Sequence, residues 1–418
     1  MNNRLLLIHI KGLLQTFAEQ PSLRKGEAMQ SIPCIENAYL QIENGIIVGF
    51  GEMKDLPVGS KASSTVYNAE GRYVMPSYVD SHTHIVFAGS REGEFTDKIK
   101  GLSYEEIAKK GGGILNSAKK LQETSEEELL ESAYQRLMEV VQMGTGAIEI
   151  KSGYGLTVAD ELKMLRVIKK LKAISPITIK STFLGAHAIP QNIARETYIS
   201  LLLEEMLPAV AAENLADYCD VFCDKGFFTV AETDQILTAA KKYHLIPKIH
   251  ANELDNSGGV QIGIAHQALS VDHLERISEV EITALQASQT LPVVLPGTVF
   301  FLGLPHPPVR KMIEANLPVV IASDYNPGSC PSGNMPFTVA LASILLRMTP
   351  EEAFNAATIN AAYALNLEAT HGHIRQGIPA NLWISKPIPS FAYMSYHFGT
   401  SPVDKVIVAG KFWQAEMA

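Results

Sequence analysis

Two histidines, His82 and His84, stand two residues apart at the end of the apolar stretch Val74, Met75, Tyr78, Val79, which Pro76 interrupts. In extended backbone, residues i and i+2 point to the same side. Both imidazoles therefore leave one strand end in the same direction, which is half of a metal site. A first-row metal takes three or four convergent ligands, with imidazole and carboxylate prominent among them. Two other apolar runs end the same way. His250 closes Ile246-Pro247-Lys248-Ile249, and Asp324 closes Val319-Val320-Ile321-Ala322-Ser323. Each of the four also has a plainer reading. Histidines serve as hydrogen-bonding core residues, and an aspartate ahead of Asn326-Pro327-Gly328 serves as a turn residue. Their recurrence at strand ends favours a ligand set of three imidazoles and one carboxylate, suited to zinc, iron(II) or manganese.

Hydrolytic chemistry beside such a set needs a group that takes a proton from water and delivers it to a leaving nitrogen. Glu253, three residues after His250, has the right chemistry; as an isolated residue it would be a helix-capping glutamate. His273, in Val271-Asp272-His273, ends another apolar run and could polarise a carbonyl or steady a water; paired with Asp272 it would be structural. Arg91, seven residues after His84, is a natural clamp for an anionic group if its loop covers the site, and a solvated surface residue otherwise. Lys151-Ser152-Gly153-Tyr154-Gly155 allows tight backbone near a ligand and offers the Tyr154 ring and hydroxyl. His187, among Gly185, Ala186 and Ala188, has small neighbours that leave room for a substrate.

The elements that must position these residues have a strand-then-helix rhythm. Eight short apolar runs end near His84, Lys151, His187, Asp224, His250, His273, Pro296 and Asp324, with amphipathic stretches between, as at Glu126 to Val141 and Ala159 to Leu171. Repeated β-then-α units favour a parallel sheet, and eight of them favour a closed (β/α)8 barrel whose active site lies where the strands end. The first unit is long and carries Gly111-Gly112-Gly113, an insertion placed to cover the site. Both chain ends read differently, with short partly alternating strands at 38–42, 46–50, 380–384 and 406–413, the last with a hairpin turn at Ala409-Gly410. These predict a small β-sandwich domain composed of 1–73 and 375–418 around a catalytic barrel over 74–374.

Composition narrows the class. With 35 basic and 44 acidic residues the net charge is -9, and no Lys/Arg cluster points to nucleic acid. The apolar opening from Leu5 to Leu14 is broken by His9 and Lys11 and is too short for a bilayer span of ~20 residues. Four cysteines without a CxxC pair argue against a disulfide framework. A cytoplasmic enzyme without membrane or nucleic-acid partners is expected.

The stretches VDSHTHIVFAGSREGEF, IEIKSGYGL, TFLGAHAIP, HANEL, VDHLE and SDYNPGSCPSGNMP resemble the amidohydrolase superfamily of metal-dependent barrels. Within it they are similar to the branch that opens the 4-imidazolone-5-propanoate ring in histidine degradation, yielding N-formimidoyl-L-glutamate. The resemblance implies one zinc or iron ion on His82, His84, His250 and Asp324. It implies substrate contacts from Arg91, on the propionate, and from Tyr104, Tyr154, His187 and Glu253. Asn326, Gly328 and Ser329 would meet the glutamate-like part of the product. Glu253, His273 and Asp324 would share the proton transfers. A homodimer is usual for similar proteins. Tyr325 stands where the pattern leads one to expect Phe, and Glu253 where some members carry Gln. The rival reading is a deaminase of the same superfamily acting on a purine or pyrimidine ring; Arg91 speaks against it, because a neutral base needs no carboxylate clamp.

Overall fold

The computed structural model describes residues 4–62, 64–102 and 112–414. Its centre is a parallel sheet of eight strands in sequence order: β1 (Tyr78–Asp80), β2 (Thr145–Lys151), β3 (Thr178–Ala186), β4 (Tyr218–Cys223), β5 (Ile246–Ala251), β6 (Ser270–His273), β7 (Leu291–Val294) and β8 (Val320–Ile321). The ring closes just past the formal ends of β1 and β8. There Asp324 N–H donates to the His82 carbonyl at 3.0 Å and His84 N–H to the Tyr325 carbonyl at 2.9 Å. The Ser323 N–H and hydroxyl both donate to the Asp80 carboxylate, at 3.0 and 2.5 Å. The closing seam thus runs through three of the candidate site positions, His82, His84 and Asp324.

Helices pack around this sheet, and their starts are written locally. Ser125, Thr229, Ser278 and Thr349 each cap a helix and pair reciprocally with the glutamate three residues on, which satisfies N–H groups that a helix start leaves open. The expected helices span Glu126–Gln142 and Val158–Ile174. Their apolar faces, Leu129, Leu137, Val141, Leu165 and Ile168 among them, join one large buried cluster with the outward residues of the barrel strands.

The chain ends build a second eight-stranded sheet. Strand Arg4–Leu14 pairs with Cys34–Glu43 on one side. On its other side its first half pairs with Thr65–Asn68 and its second half with Tyr73–Pro76. The switch coincides with a register shift between Leu7 and Ile10, where His9 adopts φ 53°. The expected sandwich is therefore hydrogen-bonded continuously, and branches where one long strand serves two neighbours along the same edge. The C-terminal strands Leu382–Ser385, Val403–Val408 and Lys411–Phe412 complete it. Their hairpin turns at Ala409 (φ 46°) and Gly410 (φ 76°), two left-handed residues that match strand twist.

The single strand expected across 74–79 is two strands. Tyr73–Pro76 lies in the end sheet, paired with Leu382–Ile384, whereas Tyr78–Asp80 opens the barrel. Pro76 has no N–H to extend a ladder, so the hand-over between the sheets falls at Ser77. Among the described residues, no helix is long and apolar enough to cross a membrane.

Candidate active site

The histidine pair meets the fifth strand as its spacing implied. Ring nitrogens of His82, His84 and His250 all lie within 4.8 Å of one another, and all three residues are buried. His82 Nδ1 donates to Asp272 Oδ2 at 2.6 Å, which leaves Nε2 with a lone pair; it faces His84 Nε2 at 3.3 Å. Neither ring nitrogen of His250 has a hydrogen-bond partner of good geometry, although Asp220 Oδ2 lies 3.0 Å from Nδ1. Burial first, and positive neighbours second, hold the His82 and His84 imidazoles far below their usual pKa, so both are in the neutral, ligating form. Asp324 completes the group. Its Oδ2 accepts from Thr298 Oγ1 at 2.6 Å and Ser329 Oγ at 3.0 Å, while Oδ1 lies 3.5 Å from His82 Nε2 and 3.7 Å from His84 Nε2. Its backbone is left-handed at φ 56°, a strained state for a non-glycine residue that clusters at functional sites. Converging lone pairs, an unpartnered imidazole nitrogen and a carboxylate oxygen turned to the same point are the donor set a divalent cation takes.

Beside this group stand Glu253 and His273, with Glu253 Oε2 3.7 Å from His273 Nε2. Burial pushes the Glu253 carboxyl up to about 7. Burial alone would lower the His273 imidazole, but the charges of Glu253 and Glu275 outweigh it and bring it up to about 10. At neutral pH the imidazole thus carries its proton while the carboxyl stands near the middle of its titration, the condition for a group that accepts and returns a proton during a reaction. The loop carrying Glu253 is pinned by Asp224 at the end of β4, which accepts from the N–H groups of Glu253, Leu254 and Asp255 at 2.9, 2.8 and 3.2 Å.

These residues open into a cavity of about 820 Å³ that also contains Arg91, Tyr154, His187, Asn326, Gly328 and Ser329. His187 Nδ1 donates to the Gly153 carbonyl at 2.9 Å, and its ring stacks on His84 with centroids 5.4 Å apart. Burial holds its pKa down to about 3. Gly153 has φ 112°, and a Cβ there would meet His187 Nδ1 at 2.8 Å, so this loop position excludes a side chain. Arg91 is held along one edge by Glu94, from Nε at 2.8 Å and Nη2 at 2.6 Å. Glu94 also accepts from Gly113 N–H and Asn116 Nδ2. The other edge of the guanidinium passes Gly328 so closely that a Cβ there would sit 2.0 Å from Nη1.

The structure brings twelve of the thirteen expected site residues into or directly beneath this cavity; Tyr104 lies outside the described residues, as does Gly111 of the expected cover. Asn326 differs in manner from the expectation. Its Oδ1 accepts from Gly328 and Ser329 N–H, and its Nδ2 donates to the Asp324 carbonyl and Ser329 Oγ, so all four of its hydrogen-bonding sites are used inside its own loop. Sequence reasoning passes over Glu94 and Thr298, takes Asp224 only as a strand end, and offers Asp272 as a partner for His273, whereas it pairs with His82. Their signal was weak: Asp272 and Asp224 sit at strand ends, but nothing local says which histidine or loop each supports.

Comparison with known proteins agrees with the architecture. The model of the amidohydrolase family matches residues 73–412. A protein of Christiangramia forsetii named imidazolonepropionase is 53% identical over 409 residues, covering 97% of this chain and 99% of its own. Another of Flavobacterium psychrophilum with the same name is 52% identical, covering 97% and 99%. Among solved structures, E. coli guanine deaminase superposes with a TM-score of 0.71 at 13% identity, covering 99% of both chains; at that identity the likeness is one of fold. The chain belongs to the amidohydrolase family and, within it, to the imidazolonepropionases.

Proposed function

We propose that this protein hydrolyses the ring C–N bond of 4-imidazolone-5-propanoate to give N-formimidoyl-L-glutamate in histidine catabolism. The observation that carries this reading is the 53% identity, over nearly the full length of both chains, to a protein named imidazolonepropionase. The cavity gives it a physical basis, because a cationic fork and the histidine cluster, through His84 and His250, border the same space.

In this reading His82, His84, His250 and Asp324 hold one zinc or iron ion. When bound, the ion supplies Lewis acidity that makes hydroxide available at neutral pH. The chain's own residues do the rest. Arg91, oriented by Glu94, binds the propionate with its remaining edge. Tyr154 and His187 flank the ring, Tyr104 is taken as a further substrate contact on the resemblance alone, and the Asn326 loop presents Gly328 and Ser329 to the chain of the product. Glu253 takes a proton from water and passes it to the ring nitrogen as the C–N bond breaks. His273, held cationic by Glu253 and Glu275, donates to the carbonyl oxygen where negative charge develops. Asp324 shares in the proton traffic. The same reading takes the protein as a cytoplasmic homodimer acting on a small anion; the net charge of -9 supports the absence of a nucleic-acid partner.

The test is turnover of freshly generated 4-imidazolone-5-propanoate, with metal analysis of the same sample. Turnover with about one ion per chain is expected. Ammonia release from guanine, cytosine or adenosine, with none of the expected activity, would overturn the reading in favour of a deaminase.

A further inference from the structure

The histidine cluster rests on an ionic layer inside the barrel. Barrel interiors are usually filled by branched apolar side chains. Here alternate residues of β2, β4, β5 and β6 turn Glu149, Lys151, Asp220, Lys248 and Asp272 inward, and none of them is exposed. Buried charges are costly unless well paired, so the arrangement calls for a use.

Its geometry indicates one. Lys151 Nζ donates to Asp220 Oδ2 at 2.8 Å and to Glu149 Oε1 at 2.7 Å, and lies 3.7 Å from Asp272 Oδ2. Those two aspartates are the carboxylates that stand behind the histidines. Asp272 Oδ2 accepts from His82 Nδ1, and Asp220 Oδ2 lies 3.0 Å from His250 Nδ1. Each aspartate is fixed at its other oxygen: Ser270 Oγ donates to Asp272 Oδ1 at 2.5 Å, and the His250 N–H donates to Asp220 Oδ1 at 3.1 Å. One ammonium on β2 therefore ties together the supports of histidines on β1 and β5. Lys248 is equally buried and its charge also acts on Asp272, but its hydrogen bonds go to Glu149 and to the Ser81 carbonyl and to neither aspartate.

We propose that Lys151 is a positioning residue of the metal site. By holding Asp220 and Asp272 beside Nδ1 of His250 and His82 it favours the Nδ1–H tautomer of each, so that both present a bare Nε2 to the cation. The inference rests on the reading that His82, His84 and His250 hold a metal ion. Partners of ligating histidines typically matter 10- to 100-fold in metal affinity, and one lysine that supports two ligands should fall in that range.

The experiment measures zinc affinity by competition with a chromophoric chelator, for wild type, Lys151→Met and Lys248→Met, together with the ¹⁵N tautomer pattern of the zinc-free wild type. Zinc binding by Lys151→Met should weaken roughly 10- to 100-fold, and by Lys248→Met less than about threefold. His82 and His250 should each show a protonated Nδ1 and an unprotonated Nε2. An equal loss in both variants would reduce Lys151 to one more buried charge and overturn the assignment, as would wild-type affinity in Lys151→Met. A proton on Nε2 of either histidine in the wild type overturns it without any variant, which keeps the test decisive if Lys151→Met does not fold. Wild type that takes up no zinc overturns the metal-site reading itself; binding by wild type with no effect of Lys151→Met overturns this inference alone.

Discussion

Adding one methyl group at residue 328 separates substrate recognition from stability. A Cβ on Gly328 would lie 2.0 Å from Arg91 Nη1 and 2.7 Å from its Cζ, far inside contact distance. Gly328 does not need a left-handed backbone, since its φ lies outside the positive range, so alanine is tolerated there by the main chain. What must give way is the end of a long flexible side chain, which swings aside at little cost. The fork then no longer offers its second edge to the substrate carboxylate, while Glu94 still holds the first. Losing a charged hydrogen bond costs about 1.5–3 kcal/mol, or roughly 10- to 150-fold in kcat/KM, at about 1.4 kcal/mol per factor of ten. Steady-state kinetics of Gly328→Ala should show this loss mainly in KM, with a melting temperature within about 2 °C of wild type, the scale of a sub-kcal/mol change. In an Arg91→Met background the same substitution should add almost nothing, because the two changes act on one interaction. Unchanged KM in Gly328→Ala, or a full penalty in the absence of Arg91, would refute the idea that this glycine exists to seat the guanidinium.

Other outcomes rest on the same geometry. His250→Ala removes a central imidazole, so metal analysis should find the ion lost and turnover abolished. Glu253→Gln keeps the shape of the side chain but removes the base; metal content should stay at the wild-type level while kcat falls about 10²- to 10⁴-fold, the usual weight of general acid–base catalysis. On the outer surface of the barrel, hydrogen bonds from Arg195, and then the capping N–H of Thr229, hold the Glu232 carboxyl down to about 2. A depressed carboxyl contributes stability above its unfolded value of about 4.5 and loses it as pH falls through the folded value. Denaturant melts of wild type and Arg195→Met should therefore differ most above pH 4.5 and converge toward pH 2; a constant difference across that range would count against the pair.

Much of the site was legible in the sequence alone, for a physical reason. Parallel strands buried on both faces leave short apolar runs, and a barrel gathers all their C-terminal ends at one rim, so the residues that close those runs are the residues of the site. His82, His84, His250, His273 and Asp324 were found in that way. Contacts between strands are another matter. Nothing near Asp272 names His82, 190 residues away, and Lys151 reads equally well as a loop residue or as the centre of a buried network. Glu94 looks like an ordinary helix-surface acid until its fold places Arg91, Gly113 and Asn116 around it. The opening strand was passed over because His9 and Lys11 break its apolar pattern. His9 sits at the bulge, exposed, and Lys11 reaches across to the carbonyls of Ile388 and Pro389, partners that no local window contains.

The seam at Ser77 has a consequence for how the molecule comes into being. The strand just before it, Tyr73–Pro76, is flanked by Gly12–Leu13 on one side and by Leu382–Ile384 on the other, one segment that leaves a ribosome shortly before it and one that leaves long after. Two residues later the chain enters the strand that leads to His82 and His84. During synthesis that lead-in has only one of its two neighbours until some three hundred residues more have been added. Closing so long a loop adds little to the equilibrium cost, because the entropy grows only with the logarithm of length, but it delays the step, since distant pairings form slowly. The sheet that anchors the lead-in to His82 and His84 is therefore complete only once the segment Leu382–Ile384 has returned to pair with it.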